Sequence, residues 1–160
     1  MLQKSITALI LAGVLAFSTL VTYAGNLEKC DLKQEAANKE LVIKFYDEVF
    51  NKHDLKKAPY QYLAENLIQH NPAVPNGRQG FIDRLTPIFA KLPQRHSQLV
   101  HVAADGDLVW THMHSTENPQ DRGRAIIDIF RVKDGKIVEH WDVVQLIPEP
   151  QKSQNKNGMF

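Results

Sequence analysis

The chain has 160 residues, of which 43% are hydrophobic and 23% are charged, so it can bury a core and does not have a disordered protein's composition. Its 19 basic and 18 acidic side chains give a formal net charge of +1 at pH 7. Nucleic-acid-binding proteins and proteins that bind anionic membranes usually carry a marked excess of basic residues. The composition therefore argues against both of these classes and favours one globular domain.

The first 24 residues have the pattern of a secretory signal peptide. One basic residue, Lys4, precedes the apolar stretch Ile6–Leu20, and Thr22-Tyr23-Ala24 places small residues at positions −3 and −1 of a cleavage site. The apolar stretch is shorter than the roughly 20 residues that span a bilayer, and an uncleaved anchor is the alternative. We predict cleavage after Ala24, a periplasmic or secreted location, and no membrane contact of the mature chain.

Hydrophobic residues at helical spacing predict three helices in the first half of the mature chain. Leu41, Phe45 and Val49 show this spacing in the first helix, which Asp31 can cap. The second helix is short and contains Pro59, and Pro93 ends the third. The predicted helices cover about residues 31–51, 55–63 and 79–92, and residues 66–70 are predicted to be extended.

After residue 96 the pattern changes to the alternation that is typical of strands. Asp105-Gly106 and Asp134-Gly135 are favoured pairs for two-residue hairpin turns, so neighbouring strands are predicted to be antiparallel. Helices followed by a four-stranded meander indicate an α+β fold in residues 25–148, with a polar tail over residues 149–160. The predicted strands are Ser97–Ala104, Leu108–Ser115, Arg124–Val132 and Ile137–Ile147.

The two predicted turns set which side chains share a face of the sheet. A two-residue turn at Asp134-Gly135 places Asp128 opposite Trp141. The turn at Asp105-Gly106 places three histidines and one tryptophan on a single face of the other hairpin. Together these side chains have the mixed aromatic and polar composition of a pocket wall, although histidines facing water are the alternative. We predict one cavity lined by Asp128, Trp141, Trp110, His112 and His114, with His70 or Asn71 near its mouth.

The opposite face of the sheet is then left without helices to cover it. A broad apolar band of this kind is larger than the patches that soluble monomers usually expose. A second copy of the same sheet is the simplest cover, so we predict a homodimer with His140 and Asp142 at its interface. The predicted band consists of Ile127, Ile129, Val138, Val144, Val100, Val102, Val109 and Met113.

Three segments resemble a known family. They are Ala104–Trp110 (ADGDLVW), Ile127–Val143 (IDIFRVKDGKIVEHWDV) and Gln69–Pro72 (QHNP). They resemble the SnoaL-like polyketide cyclases of the nuclear-transport-factor-two-like superfamily, and in particular the bacterial branch of predicted aldol-condensation enzymes. The resemblance covers about residues 35–148. It implies a cone-shaped α+β barrel, with N-terminal helices packed in a strongly curved antiparallel sheet around an internal pocket.

The resemblance also implies a chemistry. In the true cyclases an aspartate general base acts with a nearby histidine and without a metal, and by motif position these residues correspond to Asp128 and His114. His112, Trp110, Trp141, His70 and Asn71 are then candidate substrate-binding residues, and no metal or cofactor is predicted. Because a secreted protein is not expected to meet polyketide intermediates, the predicted ligand is a small apolar carbonyl compound.

Three functions remain open from the sequence. The first is a metal-independent aldol-condensation, cyclase or isomerase-type enzyme, in which histidines or Asn71 would donate hydrogen bonds to the developing enolate. The second is a metal site built from His112 and His114 with His70 or His101. The third is a binding module that uses the same pocket without catalysis, because folds of this kind host many functions.

Overall fold

The computed structural model of the protein describes residues 32–160, and the predicted signal peptide lies outside these residues. Helix α1 covers residues 32–46 and continues as a π-helical turn over Asp47–Asn51. None of the helices within residues 32–160 is long and apolar enough to cross a membrane. The other helices are α2 (Ala58–Tyr62) and α3 (Gly77–Lys91), and the strands are β1 (Leu63–Gln69), β2 (His96–Asp105), β3 (Leu108–Thr116), β4 (Arg124–Lys133) and β5 (Lys136–Leu146).

The strands form one sheet in the order β1-β5-β4-β3-β2. The last four strands are antiparallel to their neighbours, as the hairpin signals predict. β1 pairs with β5 in parallel, so the sheet is mixed and not purely antiparallel. Pro59 lies in the first turn of the short α2, and at Leu63 the chain becomes extended and joins the free edge of β5. The predicted α+β class, with helices preceding the meander, is confirmed.

The helices pack against one face of the sheet, which we call the inner face. Phe45 of α1 is almost fully buried and lies edge-on to Phe130 of β4. Burial of each such side chain contributes roughly 1.5–3 kcal/mol to folding, so this cluster fixes α1 and α3 on the sheet. The core consists mainly of Val42, Phe45, Val49, Phe81, Leu85, Phe89, Val109, Met113, Phe130 and Ile137.

The turn between β4 and β5 is at Asp134-Gly135, and both residues have positive φ (50° and 71°), as a type I′ turn requires. A bulge between Arg131 and Val132 then shifts the pairing by one residue. Asp128 therefore pairs with Asp142, and the predicted pairing of Asp128 with Trp141 is wrong. Trp141 lies on the opposite, outer face of the sheet, because a one-residue shift exchanges the two faces of a strand.

The first hairpin also differs from its prediction. Its turn residues are Gly106 and Asp107, so His101 pairs with His112. On the other side of β3, Thr111 pairs with Asp128 and His112 pairs with Ile127. Asp128 therefore shares the inner face with Thr111, whereas Trp110, His112 and His114 lie on the outer face, and the predicted common wall is wrong.

The corrected registers change the surface on which the predicted dimer depends. Val102, Val109, Met113 and Val144 belong to the inner face and not to the outer band. The outer face carries Ile127, which is 41% exposed, and Val143, which is 71% exposed.

The homodimer stays a prediction, and we expect the outer face to form its interface. Light scattering at micromolar concentration should give the mass of two chains, because paired sheets would cover Ile127 and Val143. Val143→Glu should shift this mass toward one chain. A concentration-independent mass of one chain for the unmodified protein would contradict the prediction.

Gly123 should be the less replaceable of two glycines with positive φ. At Gly123 (φ +83°) an added Cβ would lie 2.4 Å from the carbonyl oxygen of Ser115, whereas at Gly135 (φ +71°) it would meet nothing within 4 Å. Gly135→Ala should cost only the roughly 1–2 kcal/mol of a left-handed backbone. Gly123→Ala should lower the free energy of unfolding by about 1–3 kcal/mol more, because the clash adds to that cost. Equal losses in urea denaturation would contradict this steric explanation.

Candidate functional site

Asp128 is a buried carboxylate on the inner face of β4, with 4% of its surface exposed. Its Oδ2 accepts a hydrogen bond of 2.5 Å from the Tyr46 hydroxyl and one of 3.3 Å from Thr111 Oγ1. Its Oδ1 lies 3.1 Å from His140 Nε2. Helix α1 and the two strands that flank β4 therefore supply partners to one carboxylate, which satisfies the requirement that a buried charge be hydrogen-bonded.

A second carboxylate, Asp142, lies beside Asp128 because the bulge turns this part of β5 inward. Both oxygens of Asp142 accept from Asn71 Nδ2, at 2.9 and 2.7 Å. His140 Nδ1 lies 2.9 Å from Gln69 Oε1, so both nitrogens of this imidazole have a partner. Gln69 and Asn71 come from the end of β1 and the residues after it, and the parallel pairing of β1 with β5 places them here.

These polar groups lie along one side of a cavity of about 210 Å³. Its remaining wall is mostly apolar and comes from α1, α3 and the sheet, with three arginines among the lining residues. A mostly apolar wall with a few convergent polar groups is typical of a small-molecule site. The lining includes Asp128, His140, Asp142, Asn71, Tyr46, Phe50, Phe81, Leu85, Ile88, Ile126, Arg84, Arg95 and Arg124.

Tyr46 stays protonated far above neutral pH. Burial raises the pKa of its hydroxyl well above its ordinary value, and the negative charge of Asp128 raises the pKa further. Burial, together with its hydrogen bond to Glu48, also raises the pKa of Tyr62, to about 12. At neutral pH Tyr46 therefore donates to Asp128 as a neutral phenol.

One group of residues in the described part of the chain could together hold a metal ion. It consists of Asp128, His140 and Asp142. One potential ligand atom from each lies within 4.8 Å of the others, and two carboxylates with one imidazole suit a divalent cation. A cation would have to compete with Tyr46 for Asp128 and with Asn71 for Asp142.

Of the predicted site residues, Asp128 and Asn71 lie at the cavity. The prediction that the two tryptophans, His112 and His114 line the same cavity is wrong, because the registers of β3 and β5 place them outside it. Of the two residues offered for the mouth of the cavity, Asn71 lies there and His70 does not. Trp110, His112 and His114 lie on the outer face, where Phe160 packs against the two imidazoles. His70 stacks on Trp141 at 4.6 Å between ring centres and its Nε2 lies 2.8 Å from Glu139.

The alternative three-histidine metal site is not assembled either. His101 Nδ1 and His112 Nδ1 lie 3.3 Å apart on the outer face. His114 Nε2 instead lies 2.8 Å from the backbone oxygen of Arg122, and His70 is stacked on Trp141. Neither His114 nor His70 therefore completes a set of metal ligands with His101 and His112.

Sequence reasoning missed Tyr46, His140, Asp142 and the arginines of the cavity. Tyr46 belongs to the apolar stripe of α1, where a tyrosine is ordinarily a core residue. His140 and Asp142 alternate with valines along β5, and the unshifted register assigned them to a dimer interface. That assignment is wrong, since both residues line the cavity. The sequence did show that these two residues lie two positions apart and therefore share a face of the strand. Which face they share depends on the bulge, which the sequence does not reveal.

Comparison with known proteins identifies the family. Residues 42–140, more than half of the chain, match the family model of the SnoaL-like domain. The chain belongs to the SnoaL-like domain family. No curated protein matches this SnoaL-like chain significantly.

Several solved structures share the fold of this SnoaL-like protein. A candidate polyketide cyclase from Acidithiobacillus ferrooxidans is 19% identical, with a TM-score of 0.57 over 68% of this chain and 87% of that chain. IdmH, a candidate polyketide cyclase from Streptomyces antibioticus, is 26% identical, with a TM-score of 0.54 over 64% and 88% of the two chains. A candidate ketosteroid isomerase from Kribbella flavida is 17% identical, with a TM-score of 0.58 over 72% and 83%. The chain therefore has the cone-like α+β fold that its sequence implies.

The raised pKa of Tyr46 predicts how stability changes in alkaline solution. In the unfolded chain Tyr46 ionises near pH 10, whereas in the folded protein it keeps its proton to higher pH. Between these two pKa values the folded state binds one proton more, so the free energy of unfolding falls as pH rises above about 10. Tyr46→Phe should make this fall shallower by up to about 1.4 kcal/mol per pH unit.

The measurement is urea denaturation at several pH values between about 8 and 11.5, around the ordinary tyrosine pKa. Tyr60→Phe is the matched control, because Tyr60 is about half exposed and no carboxylate accepts from its hydroxyl in the described part. The control should retain the alkaline slope of the unmodified protein. Identical slopes in all three proteins would show that Tyr46 is not held protonated by its surroundings.

Proposed function

We propose that this protein is a metal-independent enzyme of the isomerase or aldol-cyclase type. It removes a proton from carbon beside the carbonyl group of a small compound, and Asp128 is the general base. The observation that carries the proposal is that a buried carboxylate with fixed orientation borders an otherwise mostly apolar cavity. Such a cavity can hold the acidic C–H bond of a substrate against the base.

The hydrogen bonds of Asp128 leave one of its two carboxylate oxygens better placed to accept a proton. Tyr46 and Thr111 both donate to Oδ2, whereas Oδ1 has only His140 as a partner. A carboxylate oxygen has two lone pairs, so Oδ1 retains one that can accept a substrate proton. Tyr46 and His140 hold the carboxylate in place, and Asp128 can return the proton at another carbon or to the product oxygen.

Removal of the proton creates an enolate, whose oxygen needs a hydrogen-bond donor. Asn71 Nδ2 lies at the cavity, and Asp142 orients its amide group. One such preorganised donor stabilises a developing oxyanion by roughly 3 kcal/mol. In this proposal Asn71 keeps the role that the sequence suggested, whereas His112 and His114 lie outside the cavity and contribute no donor.

Comparison with solved structures supports this class of reaction. IdmH, at 26% identity, is described as a candidate polyketide cyclase, and the Kribbella flavida neighbour is described as a candidate ketosteroid isomerase. Both types of reaction begin with a proton transfer next to a carbonyl group. The substrates of these proteins are not assigned to this chain, because similar folds host different functions.

A binding module that uses the same cavity is the second candidate. The observation in its favour is that Asp128 already has three polar partners and Asp142 is held by Asn71, so neither carboxylate needs a substrate to be satisfied. In that case the polar side of the cavity would orient a ligand without accepting its proton. Proton exchange distinguishes the two candidates.

Asp128→Asn should abolish catalysed exchange of the acidic protons of ethyl acetoacetate in D2O. Asparagine keeps the size and hydrogen-bonding oxygen of aspartate but cannot accept the proton, so the NMR exchange rate above buffer background should fall by about 100-fold or more. Asp142→Asn is the matched comparison. Its exchange rate should fall less than that of Asp128→Asn, because Asp142 only orients Asn71. Thermal unfolding would verify that both variants are folded. Unchanged exchange in folded Asp128→Asn would contradict the proposed base, and no exchange in the unmodified protein would favour the binding module.

A further inference from the structure

Three buried side-chain atoms among residues 32–160 have no hydrogen-bond partner, and they belong to one end of the sheet. They are Arg95 Nε, Arg124 Nε and Ser115 Oγ. Ser115 of β3 pairs with Arg124 of β4, and it also pairs with Ser97, which follows Arg95 by two residues. Buried polar groups in native proteins are nearly always paired, so a cluster of unpaired donors marks a place for a missing partner.

Arg95 is the most exceptional member of this cluster. No hydrogen bond or ion pair of its guanidinium is present within the described part of the chain, although its backbone oxygen is bound by His53. Burial lowers the pKa of Arg95, and the positive charge of Arg124 lowers it further. A guanidinium nevertheless stays charged at neutral pH, so the cavity wall carries a cation that has no hydrogen-bonded or ion-paired partner in the described part of the chain.

Arg124 differs from Arg95 because part of its charge is already compensated. Its Nη2 forms an ion pair with Glu117, a residue outside the cavity lining, while its Nε remains without a partner. Arg84 of α3 adds a third, exposed guanidinium to the cavity wall. Asp128 and Asp142 are engaged by Tyr46, Thr111, His140 and Asn71, and neither forms an ion pair with these arginines in the described structure.

We propose that Arg95 and Arg124 form a carboxylate-binding subsite, and that the ligand of this cavity is a small oxo acid. Its carboxylate binds the two guanidiniums, its short apolar chain contacts Phe50 and Ile126, and its ketone lies at Asp128. The carboxylate subsite stands on the arginines alone, whereas the position of the ketone rests on the proposed function.

The size of the cavity and the chemistry of the two arginines favour a small carboxylate as the ligand. Guanidinium groups bind carboxylates through paired N–H donors, and such charge-assisted bonds are strongest where water is excluded. Glu117 forms an ion pair with Arg124, so Arg95 is the arginine of this subsite whose charge the carboxylate of the ligand compensates. The cavity of about 210 Å³ is smaller than the roughly 300–1,000 Å³ of sites for drug-sized ligands, so the acid is small.

The test compares two probes that differ in charge, 5-oxohexanoate and 5-oxohexanamide. Calorimetric titration of the full-length protein should show at least about tenfold tighter binding of the carboxylate, a preference that added salt reduces. Arg95→Gln should remove this preference while leaving the affinity for the amide nearly unchanged. Arg95→Lys should retain part of it, because the charge remains but the paired donors are lost.

Arg122→Gln is the matched control, because Arg122 is an exposed arginine that pairs with Glu149 and does not line the cavity. This control should bind both probes as the unmodified protein does. Thermal unfolding adds a second measurement: Arg95→Gln should have an unchanged or higher Tm, because it removes a partly buried charge that has no ion-pair partner. A structural role for Arg95 would instead lower the Tm without changing the ratio of the two affinities, and would overturn the proposal.

The failure of this proposal can be told apart from the failure of the proposed function. The titrations are repeated with Asp128→Asn, which cannot act as a base. A charge preference that depends on Arg95 supports the subsite even if no protein catalyses proton exchange. Equal affinities for the acid and the amide in the unmodified protein would overturn the subsite, whether or not Asp128 proves to be catalytic.

Discussion

The bulge between Arg131 and Val132 decides which chemistry faces the cavity. Up to that point the pairing of β4 and β5 follows from the tight turn, and beyond it every side chain of β5 changes face relative to β4. His140 and Asp142 thereby join Asp128 on the inner face, and Trp141 moves outward to stack with His70. Without this extra residue the cavity would contain one carboxylate facing a tryptophan, and no imidazole would bond to it.

The groups that the bulge brings inward are tolerated because other elements supply their partners. Burial of an ionised carboxylate without partners costs several kcal/mol, and here Tyr46, Thr111, His140 and Asn71 offset that cost. These donors come from α1, β3, β5 and the residues after β1, so the site depends on the correct packing of nearly the whole domain. At the arginine end of the cavity, Arg124 is paired with Glu117, whereas the guanidinium of Arg95 has no such partner among the described residues.

The helices and strands were predictable from the sequence. Which side chains of neighbouring strands share a face of the sheet was not. The stripe of Phe45 and Val49 identified α1, and the alternation after residue 96 identified four strands to within a few residues. The turn at Asp105-Gly106 was misplaced by one residue, since Gly106 provides the required positive φ at either position. No two-residue turn fixes the register between β3 and β4, because residues 117–123 form a longer connection. The register that places Thr111 and not His112 beside Asp128 is therefore set by tertiary packing.

Arg95 lies outside the hairpin that carries Asp128 and can change independently of it, whereas Arg124 belongs to β4 itself. Asp128, His140 and Asp142 lie within the hairpin β4–β5, whose register is fixed by hydrogen bonds along both strands. Arg95 precedes β2, and its conformation is held only by local bonds and by His53. A substitution at Arg95 can change the charge of this part of the cavity wall without disturbing the hairpin, because connecting segments tolerate change better than strands. The likeness to solved structures concerns the fold, whereas the chemistry of the cavity depends on side chains such as Arg95, which the fold does not determine.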